Sequence, residues 1–79
     1  MSEYSEIERI ILSFSKKDWL KTAMILAKTL RECEARNIDT TYEEIAAKLE
    51  NLCNLKQLES RGDLSKWRRS EIRLPQTQA

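Results

Sequence analysis

The chain has very few residues that interrupt regular backbone structure, and both of the strongest ones lie near its C-terminal end. Gly62 is the one glycine and Pro75 is the one proline among 79 residues. A fold with many strands needs many turns, and turns draw heavily on glycine and proline. The sequence therefore favours helices over most of the chain, with a change of structure around Gly62.

Three segments place apolar residues at the three- and four-residue spacing of amphipathic helices, which predicts helices over residues 3–14, 18–36 and 41–54. Two of them begin with the Ser/Thr-x-x-Glu spacing of a capping box, which pairs Ser5 with Glu8, and Thr40 with Glu43 or Thr41 with Glu44. In the second helix the predicted apolar arc covers about half the circumference. It consists of Trp19, Leu20, Ala23, Met24, Leu26, Ala27, Leu30 and Cys33.

After residue 54 the spacing of apolar residues changes to the alternation of strands, around Leu58 and again up to Leu74. Gly62 and Asp63 supply turn chemistry between the two segments, and Pro75 ends the second because it cannot donate to a ladder. We predict a two-stranded hairpin whose tip, residues 63–69, holds a helical turn capped by Asp63.

The predicted fold class is mainly α with a small β-hairpin: three helices plus a C-terminal two-stranded hairpin, which is a winged-helix-like order of elements. The chain is short enough to form one domain, predicted over residues 1–75, with a disordered tail over residues 76–79. Because a domain of this size has a marginal core, it needs efficient packing or a partner.

The sequence lacks the groups that enzymes need. There is no histidine. The sequence also shows no nucleophile paired with a base, no pair of carboxylates expected to share a cleft, and no glycine-rich loop that would bind phosphate. Cys33 and Cys53 cannot complete a structural zinc shell alone. They are either buried free thiols or a disulfide, and the first fits an intracellular chain better. We expect no enzyme activity, no metal and no cofactor.

The N-terminal residues MSEYSEIE are acidic, where a secretory signal would be basic and then apolar. The longest apolar run is also too short to cross a bilayer. We therefore expect a complete cytoplasmic chain that does not contact membranes.

Charge is divided unevenly along the chain. Residues 56–73 contain six cationic and three anionic side chains, a net charge of +3, whereas residues 1–55 have a net charge of −2. The basic segment offers candidate contacts for nucleic acid or another anion, with the tryptophan as a stacking platform for a base. These candidates are Arg61, Lys66, Trp67, Arg68 and Arg69.

A structural interpretation competes with that one, and the sequence favours it. Trp67 can fold back over the small core, and the arginines of the hairpin can pair with Glu59, Asp63 and Glu71. The exposed side of the third helix is predicted to be acidic, with three glutamates and one lysine, which opposes insertion into a DNA groove.

The leading functional hypothesis is a protein-interaction or self-association module, with a protein partner or a second copy covering surplus apolar surface. Nucleic-acid binding by the basic hairpin is the alternative. The residues expected to contact a second copy are Leu12, Leu20, Met24 and Ile25.

A set of residues in the segment 45–75 forms a recognisable pattern: Leu49, Leu52, Leu58, Glu59, Gly62, Asp63 and the run Ser70-Glu71-Ile72-Arg73-Leu74. In this pattern the segment resembles the C-terminal segment of a group of uncharacterised bacterial proteins, a domain of unknown function, with isoleucine for the usual valine. Trp19 also looks similar. This chain has Asn54-Leu55-Lys56 where the group commonly has a glycine. The resemblance implies a compact fold and supplies no activity or functional residues.

Overall fold

Three helices and a small antiparallel sheet make up the fold of residues 4–75, the part of the chain that the computed structural model describes. The elements in chain order are helix α1 (Glu6–Phe14), strand β1 (Leu20–Lys21), helix α2 (Thr22–Ala35), helix α3 (Tyr42–Asn54), strand β2 (Glu59–Arg61), a 3₁₀ turn (Trp67–Arg69) and strand β3 (Glu71–Arg73). The predicted mainly helical fold with a C-terminal hairpin is confirmed at this level. The tail predicted over residues 76–79 lies outside the described residues.

The starts of α1 and α3 follow the capping chemistry in the sequence. The Ser5 side chain accepts a hydrogen bond from the Glu8 amide at 3.2 Å, and the Glu8 carboxylate accepts one from the Ser5 amide at 2.9 Å. At α3 the capping box is the pair Thr41 and Glu44. Both boxes satisfy backbone amides that the first turn of a helix leaves without a partner. Because Ser5 is the capping residue, α1 begins directly after it, three residues later than predicted.

The sheet has one strand more than the sequence predicted, and its order is β1-β3-β2 with antiparallel neighbours. Ile72 lies at its centre, opposite Leu20 on one side and Ser60 on the other. The predicted start of the second helix at residue 18 is therefore wrong. Residues 20–21 form a strand because they pair with β3. The backbone amide of Thr22 then donates to the Ser70 carbonyl at 3.0 Å, and this hydrogen bond takes the place of a side-chain cap at the start of α2.

The helices and the inner face of the sheet enclose one core. Its buried members are Ile11, Ile25, Leu26, Ile45, Leu49, Leu52, Leu58 and Ile72. The expectation that Ile25 lies outside the packed face of α2 is wrong, because its side chain is fully buried. Both cysteines are free, with Cys33 buried and Cys53 half-buried, and burial raises the pKa of each thiol.

Glu8 also links α1 to α3, because its carboxylate accepts a second hydrogen bond from the side-chain amide nitrogen Nδ2 of Asn51 at 3.2 Å. Burial raises the pKa of Glu8, but the hydrogen bonds from Ser5 and Asn51 outweigh it and leave that pKa below the ordinary value. A lowered pKa means that the ionised form stabilises the fold above the unfolded-state pKa, and that this contribution disappears as the pH falls through the folded-state pKa.

We expect Glu8→Gln to lower the free energy of unfolding by about 1 kcal/mol at pH 7, and the difference from the parent protein should shrink below about pH 4. Urea unfolding at pH 7 and pH 3 measures both quantities. Glu34→Gln, at an exposed position on α2, is the matched control and should have little effect. A Glu8→Gln difference that stays the same at both pH values would contradict the ionic origin of the contribution.

Candidate nucleic-acid interface

The loop between β2 and β3, residues 62–70, contains most of the predicted basic candidates and has a defined internal structure. Gly62 begins it with φ of 82°. The Asp63 carboxylate accepts hydrogen bonds from the Ser65 hydroxyl at 2.7 Å and the Ser65 amide at 3.0 Å, and these bonds lower the pKa of Asp63. The Lys66 amide then donates to the Asp63 carbonyl at 2.8 Å. The predicted helical turn is present as the 3₁₀ turn Trp67–Arg69, but Asp63 does not cap it, because Lys66 precedes this turn without a side-chain cap. Asp63 instead closes a separate turn over residues 63–66.

Trp67 is half-buried and packs against the edge of the core, as the structural interpretation predicted. Its ring centroid lies 6.0 Å from that of Tyr42, the first residue of α3, with the planes tilted by 38°. Tyr42 itself is 39% exposed. Trp67 therefore belongs to a small aromatic pair at the surface and keeps part of its ring accessible.

Arg61 does not join the other basic candidates. Its guanidinium Nε donates to the Glu71 carboxylate at 2.6 Å, across the strand pair, and Arg73 does the same to Glu59 at 2.6 Å. Both guanidinium carbons lie 4.4 Å from the centroid of the Trp19 ring. The predicted cross-strand pairing is thus confirmed for Arg61 and Arg73, and their charges are engaged on the outer face of the sheet.

Three cations remain in the β2–β3 loop. Lys66, Arg68 and Arg69 are exposed, and none of them forms a salt bridge within residues 4–75. Together with Trp67 and Ser65 they line a shallow notch of about 390 Å³. The structure therefore brings four of the five predicted contact residues together and separates Arg61 from them.

Lys21 is a further cation at this site that the sequence analysis missed. Its ammonium group lies 3.5 Å from the Arg68 carbonyl oxygen, so it reaches the β2–β3 loop from β1. The predicted second helix included this residue, and no periodic signal marks a strand of two residues. Only the pairing with β3, which is a tertiary contact, places Lys21 here.

The exposed side of α3 is acidic, as predicted. Glu43, Glu44 and Glu50 are exposed, with Lys48 as the opposing cation. Glu43 and Glu50 line a groove of about 580 Å³ between α3 and the β2–β3 loop, with Asp63 on the opposite side. Trp67 also lines this groove, and the three carboxylates disfavour phosphate there.

The residues predicted to mediate self-association do not form an apolar patch. Leu12 and Leu20 are half-buried against the core, Met24 is 36% exposed, and Ile25 is buried. The exposed large apolar residues of the described chain are separated: Met24 is on α2, Tyr42 begins α3 and Leu55 directly follows the other end of α3. Exposed apolar residues that occur singly are normal on a protein surface and do not require a partner.

Within residues 4–75 no group of acidic, cysteine or histidine side chains has the arrangement of a metal site. No helix in the same range has the length and hydropathy needed to cross a bilayer. Comparison with protein-family models, with curated proteins and with solved structures gave no match. The resemblance of residues 45–75 to the bacterial group stays a prediction.

Proposed function

We propose that the chain is a winged-helix-like nucleic-acid-binding module that contacts its ligand through the β2–β3 loop. The observation that carries the proposal is the group of three exposed cations, Lys66, Arg68 and Arg69, around the accessible part of Trp67, with no acidic partner among the described residues. Arginine and lysine in such a group bind phosphate oxygens, and the gain comes largely from released counterions.

The order of elements supports the winged-helix-like part of the proposal. The supporting features are strand β1 between α1 and α2, the hairpin after α3 and the sheet order β1-β3-β2. In the proposed fold the β2–β3 loop is the wing. The acidic surface of α3 argues against the use of that helix in a major groove. In this module the loop is the contact surface and α3 is not.

The aromatic surface favours single-stranded nucleic acid over a duplex. Base faces are hidden inside a duplex but are free to stack on an aromatic ring in a single strand, and such stacking contributes roughly 1–3 kcal/mol per base. Trp67 contacts the Tyr42 ring and is flanked in the chain by Lys66 and Arg68, which line the same notch. A base on the ring and phosphates on the neighbouring cations fit this arrangement.

The test is a titration of fluorescently labelled dT20 and of a duplex of the same length, followed by anisotropy at several salt concentrations. With Lys21 and the three loop cations engaged, the logarithm of the binding constant should fall with the logarithm of salt with a slope of about −3. We expect Arg68→Glu with Arg69→Glu to weaken single-strand binding at least about tenfold and to flatten the salt dependence by half or more.

The matched control is Arg9→Glu with Arg31→Glu, which makes the same change in net charge at two exposed positions on α1 and α2. This variant should retain most of the binding if the contact is local. Equal losses in the two double variants would show a nonspecific effect of net charge. Tight duplex binding without single-strand binding would refute the stacking component.

A further inference from the structure

We infer that β2 pairs antiparallel with β2 of a second copy of this chain, around a two-fold axis at Ser60. The sheet order leaves the outer edge of β2 without a neighbouring strand within residues 4–75. Ser60 and Arg61 on this strand are exposed, and Glu59 is half-buried. An open strand edge presents unpaired amide and carbonyl groups, which another strand can satisfy.

Space for a second strand exists on both sides of Ser60. This residue lines the groove of about 580 Å³ toward Gly62 and a second cavity of about 520 Å³ toward Leu58. Residues of α3 line both cavities, Glu50 on one side and Cys53 on the other, so the open volume lies between this helix and β2. This volume leaves room for an extended segment beside Ser60.

The charge pattern of β2 selects a second copy as the occupant. The strand is Glu59-Ser60-Arg61, and an antiparallel pair centred on Ser60 places each glutamate opposite the arginine of the other copy. Opposite charges that face each other across a strand pair are stabilising, and like charges are destabilising. A shifted register that keeps the same faces of the two strands together would place Glu59 opposite Glu59 of the second copy, or Arg61 opposite Arg61 of the second copy.

Both charges are already oriented on the outer face of the sheet and retain capacity for another partner. Glu59 is bound by Arg73 and Arg61 is bound by Glu71, while their side chains are 40% and 56% exposed. A carboxylate accepts more than one hydrogen bond and a guanidinium donates up to five. The second copy would extend these two ion pairs into a four-residue network on each side of the axis.

Two-fold pairing is closed, because it covers the same edge on both copies and leaves no β2 edge free. The contact is only three residues long, so we expect a weak dimer that forms with rising concentration. The dimer does not use the four residues that the sequence suggested for self-association. It also leaves the β2–β3 loop cations unpaired, so it is independent of nucleic-acid binding.

Cysteine cross-linking tests the register directly. Residues directly opposite in an antiparallel pair have Cα atoms about 4.5–5.5 Å apart, within the range for a disulfide. In a Cys53→Ala background, we expect Ser60→Cys to form a covalent dimer under mild oxidation. Lys21→Cys on the opposite edge of the sheet is the matched control and should cross-link at least about tenfold more slowly. Equal rates at the two positions would overturn the inference.

A charge exchange tests the self-complementary pattern without a change in net charge. Arg61→Glu with Glu71→Arg keeps an ion pair inside the chain but opposes Glu59 to a glutamate of the second copy, and should weaken the dimer at least about tenfold in sedimentation equilibrium. Adding Glu59→Arg with Arg73→Glu inverts the whole pattern and should restore the dimer. If the two-residue exchange leaves the association constant unchanged, or if the four-residue exchange fails to recover it while the fold remains intact, the inference is wrong.

Discussion

Replacement of Ile25 by alanine is expected to lower the free energy of unfolding by about 2–5 kcal/mol, the range for removal of a large aliphatic side chain from a packed core. Ile25 is fully buried on α2, within a core of eight large apolar residues. A domain of this size has a total stability of about 5–15 kcal/mol, so this single change removes a large part of it. Each kcal/mol lost should lower Tm by roughly 4–8 °C.

Met24→Ala is the matched comparison, because Met24 precedes Ile25 on the same helix and is 36% exposed. Its loss should cost less than about 1 kcal/mol. Urea unfolding of both variants, with the slope of the transition checked for constancy, measures the contrast. Similar losses of unfolding free energy in the two variants would contradict the burial of Ile25, and would mean that α2 is rotated relative to the core so that Ile25 lies at the surface.

The error over Ile25 has a physical origin that the sequence does not reveal. The buried face of α2 contains two polar residues, Thr22 and Thr29. Thr22 is tolerated there because its hydroxyl accepts a hydrogen bond from the Ser70 hydroxyl at 2.8 Å. The helical wheel assigns both threonines to solvent and counts Trp19 and Leu20 as part of the helix. The predicted apolar arc is therefore rotated away from the face that is buried, which contains Ile25.

Elements that depend on local interactions were predictable. The capping boxes of α1 and α3 act over three residues, and their signature in the sequence identified both capping residues, although α1 was predicted to begin three residues too early. The hairpin was also predictable, since Gly62 and the alternating residues on either side specify it locally. Strand β1 was not, because a two-residue strand exists only through its pairing with Ile72 and Glu71, some fifty residues later in the chain.

The candidate site was predictable in composition but not in arrangement. The basic segment was identified by charge, yet the structure assigns its members to two surfaces. Strand alternation and the pairs with Glu59 and Glu71 hold Arg61 and Arg73 on the outer face of the sheet, over Trp19. The contact of both guanidinium groups with the Trp19 ring joins three separate segments of the chain, so no local sequence motif predicts it.

Gly62→Ala is the change with the widest expected consequences, because it acts on the fold and on the β2–β3 loop together. The φ of 82° at this position is costly for any residue with a Cβ, by about 1–3 kcal/mol. In addition, a Cβ on Gly62 would lie 2.6 Å from the Arg69 carbonyl oxygen and 3.1 Å from the Ser70 Cα. Both atoms belong to the backbone, so relief requires movement of the segment that leads into β3.

We expect this variant to lose at least about 2 kcal/mol of stability, and to bind dT20 more weakly even where it remains folded, because Arg68 and Arg69 move with that segment. Thermal unfolding and the anisotropy titration at a temperature below the transition measure the two effects separately. Lys56→Gly is the matched control. Lys56 also has positive φ, 62°, and glycine there should stabilise the fold slightly or leave it unchanged.

The two measurements on Gly62→Ala separate the roles of the loop. A loss of stability with unchanged binding would show that the loop cations do not need their present arrangement, and would weaken the proposal that they surround Trp67 as a single contact site. Unchanged stability would contradict the close approach of Gly62 to Arg69 itself. We expect both stability and binding to fall if the turn at Gly62 closes the hairpin and also positions the loop cations. The reason is that Gly62 approaches the backbone of Arg69 and Ser70, which lies between the end of the 3₁₀ turn and the start of β3.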